Sequence, residues 1–133
     1  MLARSEIEVE QTGTNFLTNL ERPLVNQAPY VLNIALDYEN DAGTQVRALY
    51  NVSGPTLVEV GTSGLDDAYQ HPKHALDLTI SQGIGDHFSL KLSVENILNS
   101  EHTVTQGRDS HDYNVRYRYR EGVSASIGVR AKY

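Results

Sequence analysis

The sequence predicts an all-β fold: an antiparallel meander of about six long strands, the C-terminal segment of a large transmembrane β-barrel. Three observations carry this expectation. Apolar and polar residues alternate with a period of two over most of the chain. That is the pattern of a strand with one face in an apolar phase and the other in a polar one. Tyrosines stand at both ends of the apolar face in one strand, with aliphatic residues between. Long and short connections alternate along the chain, as periplasmic turns and extracellular loops do in outer-membrane barrels.

The first expected strand covers residues 2–11, where Ile7 and Val9 alternate with Glu6, Glu8 and Glu10. There is no basic start followed by an apolar stretch, so this is not a signal peptide. The chain is expected to begin inside a strand and to be a fragment of a longer protein. The second strand covers residues 29–39. Its apolar face is Tyr30, Leu32, Ile34, Leu36 and Tyr38, against Val31, Asn33, Ala35, Asp37 and Glu39. Tyrosine favours the two headgroup levels of a bilayer, and aliphatic side chains favour the hydrocarbon. The span from Tyr30 to Tyr38 suits the ~9–11 residues of a tilted spanning strand.

Asn40-Asp41-Ala42-Gly43 reads as a short turn into a third strand, residues 44–53. Val46, Ala48, Tyr50 and Val52 share one face there, and Leu49 is the apolar exception on the other. Residues 54–72 are rich in Gly, Pro, Asp and Ser and read as a loop. The fourth strand, 73–82, sets Leu76, Leu78 and Ile80 against Asp77, Thr79 and Ser81. After a turn at Gly83–Asp86, the fifth strand covers 87–97 and can run on to about residue 105. There Phe88, Leu90, Leu92 and Val94 oppose Ser89, Lys91, Ser93 and Glu95. A second polar loop falls at Gly107–Asp112.

The sixth strand is expected to run unbroken from 113 to 133. Tyr113, Val115, Tyr117, Tyr119, Val123, Ala125, Ile127, Val129, Ala131 and Tyr133 are all odd. Asn114, Arg116, Arg118, Arg120, Ser124, Ser126, Arg130 and Lys132 are all even. A two-residue hairpin at Glu121-Gly122 would pair Arg120 with Val123 on one face and mix the two phases. One strand with an irregularity at Gly122 keeps them separate.

Composition narrows the function. The 133 residues carry a net charge of -6, against the basic surface of a general nucleic-acid binder. With no Cys there is no disulfide, thiolate metal site or Cys nucleophile. No apolar run approaches the ~20 residues of a transmembrane helix, which leaves a barrel open.

Several segments resemble the TonB-dependent outer-membrane receptors. They are Ala28-Pro29-Tyr30-Val31-Leu32-Asn33, Leu49-Tyr50-Asn51-Val52-Ser53-Gly54, Tyr69-Gln70-His71-Pro72-Lys73-His74-Ala75-Leu76-Asp77 and Val94-Glu95-Asn96-Ile97-Leu98-Asn99. The last looks like the Asn-Leu-Leu-Asn segment of that family's penultimate strand, and Gly122–Tyr133 looks like its terminal strand. The terminal aromatic departs from the family: it is Tyr133, where Phe is more usual. The resemblance implies a barrel of about 22 strands around a plug domain. It places the chain in the bacterial outer membrane and implies TonB-energised uptake of a scarce nutrient: an iron chelate, cobalamin or an oligosaccharide. It implies no enzyme and no cofactor. The implied partners are membrane lipid, the rest of the barrel and its plug, the TonB system through the missing N-terminal part, and barrel-assembly machinery reading the C-terminal strand. Another outer-membrane barrel, such as a porin or adhesin, and a soluble β-sandwich binding module remain alternatives. The sandwich does not call for paired end aromatics.

Two sets of site residues follow. Tyr30, Tyr38, Tyr50, Tyr117 and Tyr133 fall on the lipid-facing phase and are expected to form an aromatic girdle. Asp37, Asp77, Glu95, Arg116, Arg118, Arg120 and Arg130 are expected to face the lumen. The basic residues among them suit either an anionic ligand or plug, or an ion-paired wall with Asp37, Glu39, Asp77 and Glu95. His71 and His74 flank Pro72 without a ligand pattern around them, and Asp66-Asp67 lacks the spacing of a calcium loop. Neither is expected to bind metal. No nucleophile elbow or other catalytic arrangement is present. Ligand contacts, if this segment makes any, are expected from the loops at 56–70 and 105–112.

Overall fold

A computed structural model describes residues 6–8, 18, 21–108 and 114–131. The described chain is all-β, and its sheets are antiparallel. The strands in chain order are β1 (Glu6–Glu8), β2 (Glu21–Pro23), β3 (Val31–Glu39), β4 (Thr44–Ser53), β5 (Thr56–Glu59), β6 (Ala68–Gln70), β7 (Lys73–Ile84), β8 (Phe88–Glu95), β9 (Glu101–Gln106), β10 (Val115–Arg120) and β11 (Ser124–Ala131). They form a two-stranded ribbon β1-β2, a four-stranded sheet β10-β9-β6-β5 and a five-stranded sheet β11-β8-β7-β4-β3.

The chain divides into two compact units. One holds most of the five-stranded sheet, and the other holds the four-stranded sheet and the ribbon.

In the five-stranded sheet, spatial order follows chain order, as in a meander. The hairpins β3–β4 and β7–β8 close through short turns. In the first, the Gly43 N–H donates to the Asn40 carbonyl at 3.0 Å, and the Asn40 side chain accepts from the Thr44 N–H at 3.0 Å. Gly43 sits at φ +75°, where a side chain would be strained. The β8–β11 register runs from Ser124 opposite Glu95 to Ala131 opposite Phe88 without interruption. Strands β3 and β11 are the edges, and the described strands do not close into a barrel.

The four-stranded sheet carries the core. Leu57, Ala68, Tyr69 and Val104 are buried there with Thr103 and Thr105. Leu57 faces Tyr69 across β5–β6, and Tyr69 faces Thr105 across β6–β9. The segment between β5 and β6 is tied by Asp67, whose buried carboxylate accepts from the Gly61 N–H at 2.8 Å. A Cβ at Gly61 would come within 2.0 Å of the Leu65 carbonyl oxygen, so this close approach requires glycine.

Several expectations are corrected. The stretch 54–72 is not a plain loop, because it contains β5 and β6. These strands are too short to display an alternation and are flanked by Gly54, Pro55 and Gly61. The single strand 113–133 is two strands in different sheets, β10 on β9 and β11 on β8. The break is at Glu121–Val123, where Gly122 takes φ +89°. The fifth strand, expected at 87–97, is β8, and the run-on to about residue 105 is a separate strand, β9, in the other sheet. Asn96 and Asn99 separate them at φ 54° and 45°, a left-handed conformation that Asn tolerates better than most residues. Of the first expected strand, Glu6–Glu8 is described and pairs with β2, which the sequence did not suggest. The remainder of 2–11, residues 109–113, Lys132 and Tyr133 lie outside the described residues.

Candidate functional site

The two faces of the five-stranded sheet are chemically opposite. Directly opposed residues share a face, so the strand registers extend each strand's alternation across its neighbours. On one face Leu78 and Ile80 of β7 lie opposite Val94 and Leu92 of β8, which lie opposite Ala125 and Ile127 of β11. Side-chain bonds fix the other two strands. Glu39 accepts from Gln45 at 3.0 Å, and Asp37 pairs with Arg47 at 2.5 Å, so odd residues of β3 and β4 share a face. Their even residues, Leu32, Ile34, Leu36 and Tyr38 with Val46, Ala48, Tyr50 and Val52, share the opposite one. Thr44 donates to Gln82 at 2.6 Å, and Tyr50 is 2.7 Å from His74, which joins even β4 to even β7. One apolar face thus runs through all five strands.

Over the described residues that face is uncovered apart from Val52 at the end of β4, which is buried. Leu36 is 69% exposed, Ile127 76% and Val129 73%, and Phe88 and Ile84 are exposed as well. Among the described residues, every buried one belongs to the other unit. An uncovered apolar face of this extent, continuous over five strands, marks a surface made for another phase or another molecule.

The opposite face is polar and grooved. An open groove of about 970 Å³ runs over it, lined by Asp37, Glu39 and Arg47 at one side and Lys91 and Arg130 at the other, with Thr79, Ser81 and Ser89 between. Of the expected lumen-facing residues, Asp37, Asp77, Glu95 and Arg130 lie on this face. The Asp77 carboxylate accepts from the Asn96 N–H at 2.8 Å, and Glu95 accepts from the Ser124 hydroxyl at 3.4 Å.

Arg116, Arg118 and Arg120 are placed elsewhere, on β10 of the four-stranded sheet. Their carboxylate partners are not those anticipated on β3, β7 and β8. Arg116 pairs with Glu59, Arg118 with Glu101 at 2.9 Å and Arg120 with Glu101 at 3.4 Å. The tyrosines divide too. Tyr38 and Tyr50 lie on the apolar face, and Tyr30 precedes β3, with its ring beside Gly54. Tyr117 is on β10 beside Tyr119, which stacks on His102 at 4.7 Å. Tyr133 lies outside the described residues.

The histidines serve different sheets: His71 is 2.9 Å from the Thr105 hydroxyl, and His74 bonds Tyr50. Among the described residues no group of three or more His, Asp or Glu is placed to hold a metal. In the loops, Arg108 stands 5.3 Å over the Tyr69 ring, and Asp66 offers its carbonyl to the Gln106 side chain.

Sequence reasoning missed a lock at the break in the last two strands. The Asn96 side chain donates to the Gly122 carbonyl at 2.6 Å, and the Gly122 N–H donates to the Asn99 side-chain oxygen at 3.2 Å. Both asparagines of Asn96-Ile97-Leu98-Asn99 thus hold the same glycine, while the Asn99 N–H closes the turn on the Asn96 carbonyl at 2.8 Å. Two asparagines three apart was the available signal; only their shared partner was hidden.

No known protein family, curated protein or solved structure matches the chain.

Proposed function

We propose that the five-stranded sheet is a piece of the wall of an outer-membrane β-barrel, with its apolar face toward lipid and its grooved polar face toward the lumen. On the motifs quoted above, the barrel is that of a TonB-dependent receptor, and the chain is its C-terminal segment. Such a receptor takes up a scarce nutrient. The observation that carries the reading is the apolar face: five strands aligned in phase, uncovered apart from Val52, most of it in a unit with no buried residue among those described. A soluble sheet of this kind would need a second layer to cover it. A bilayer supplies that cover, and the polar face then meets lumenal water. Among the described residues β3 and β11 are edge strands with no strand on their outer side, and lipid does not tolerate open edges. The segment therefore needs the rest of the barrel in order to transport.

The chain has no Cys, so single cysteines can be placed and spin-labelled without background. Labels at residues 125, 127 and 129 of the micelle-bound chain are expected to be accessible to oxygen and shielded from a water-soluble nickel chelate. Labels at 124, 126 and 130 are expected to show the reverse. Equal access of the nickel chelate to both sets would overturn the membrane reading. The receptor reading is tested in the coding DNA upstream of Met1, where an in-frame plug domain and about sixteen further strands are expected.

A further inference from the structure

We propose that Lys91 and Arg130 form a binding site on the polar face for a phosphate-type oxyanion, either free phosphate or the phosphate group of a larger solute. The sequence offered a row of basic residues as an anion surface. Ion pairing engages most of that row: Arg116 pairs with Glu59, and Arg118 and Arg120 share Glu101. On the five-stranded sheet, Arg47 is neutralised by Asp37. Lys91 and Arg130 are different: no side-chain hydrogen bond or ion pair joins either to a described residue.

Their surroundings are shaped for a ligand. In the register Lys91 lies between Ser81 and Gly128, and Arg130 lies beside Ser89, which lies beside Gly83. The two cations are therefore diagonal neighbours on one face, roughly 7–8 Å apart at the backbone. A Cβ on Gly128 would meet nothing within 4 Å, so the space beside Lys91 is open, and the groove passes over it. Gly128 leaves the space open, the Ser81 and Ser89 hydroxyls can donate, and the two cations supply charge. An oxyanion with several oxygens can use an ammonium, a guanidinium and two hydroxyls together. A monocarboxylate has two oxygens and would use fewer of them.

The test is protection of Lys91 from acylation, read by mass spectrometry on the full chain in detergent micelles, with Lys73 as internal reference. Inorganic phosphate, glycerol phosphate and acetate are compared with sodium chloride at equal ionic strength. Phosphate is expected to slow Lys91 labelling about threefold at twice its half-saturating concentration, by simple occupancy, and to leave Lys73 unchanged. R130Q is expected to abolish the protection, and R116Q to leave it intact. Protection by glycerol phosphate as well points to a phosphorylated solute, and protection by inorganic phosphate alone points to the free ion. Equal protection of Lys91 and Lys73, protection that survives R130Q, equal protection by acetate, or no protection each overturns the proposal. The spin labels of the membrane test read the alternation of β11, so that result and this one can fail separately.

Discussion

The two principal sheets of this chain use the same alternation for opposite ends. In the four-stranded sheet, Leu57 is 1% exposed and Val104 2%, and polar Thr105 is buried beside them. In the five-stranded sheet, Ile127 and Val129 keep about three-quarters of their surface open. Alternation reports only that a strand has two unlike faces. It does not say whether the apolar face will meet other side chains of the same chain. That is decided by what can fold back over it. Here the short strands β5 and β6, with β9 paired to β6, bury side chains, while the long strands β3, β4, β7, β8 and β11 form one layer that is open apart from Val52.

This contrast can be broken at its most buried residue. Leu57→Ala should destabilise the four-stranded sheet by about 2–5 kcal/mol, from lost transfer energy plus the cavity left behind. Amide exchange should accelerate at Thr56–Glu59 and Ala68–Gln70. The five-stranded sheet should keep its protection, since its own pairing does not pass through Leu57. Uniform loss of protection over both sheets would show that they unfold as one unit.

The opposite test uses a residue already exposed. Ile127→Arg removes no buried contact, so in a soluble sheet it should shift stability by less than about 0.5 kcal/mol. Facing lipid, the same substitution should cost about 2–4 kcal/mol near the bilayer centre. Binding of the chain to lipid vesicles, followed during urea titration, separates the two. A null effect in vesicles would place Ile127 away from hydrocarbon and remove the main support for the membrane reading.

How much of this was legible beforehand follows from the range of the interactions. The phases of β3, β4, β7, β8 and β11 could be read because each strand is long enough to repeat its alternation several times. Alignment within β3–β4 and β7–β8 followed from short turns such as Asn40–Gly43, whereas β4–β7 and β8–β11 are joined through strands of the other sheet and their alignment was not legible. Strands β5 and β6 could not be read, because three or four residues carry no period. What holds them is tertiary, such as Asp67 on the Gly61 N–H and Tyr69 across from Leu57. The destinations of the arginines were hidden for the same reason. Arg116 and its partner Glu59 are 57 residues apart, and no local pattern links them. Lys91 drew no notice as one polar residue in an alternating strand. It became distinctive only when the register set it between Ser81 and Gly128.

The break in the C-terminal strand allows the finest test. Sequence phase favoured a continuous strand with an irregularity at Gly122; the structure turns that irregularity into a junction between β10 in one sheet and β11 in the other. Nothing lies within 4 Å of where a Cβ on Gly122 would stand, so alanine there meets no steric obstacle. The penalty of Gly122→Ala comes only from φ +89° and should be about 1–2 kcal/mol. If the backbone instead relaxes to a continuous strand, the substitution should cost little. It should also remove the role of Asn96 and Asn99, whose side chains bond the glycine in its present conformation. A double-mutant cycle between Gly122→Ala and Asn96→Ala distinguishes these outcomes. A coupling energy of about 0.5 kcal/mol or more is expected if the asparagine and the left-handed glycine form one lock. Additive effects would mean that the junction is set by the two sheets alone, with the Asn-x-x-Asn turn as a bystander.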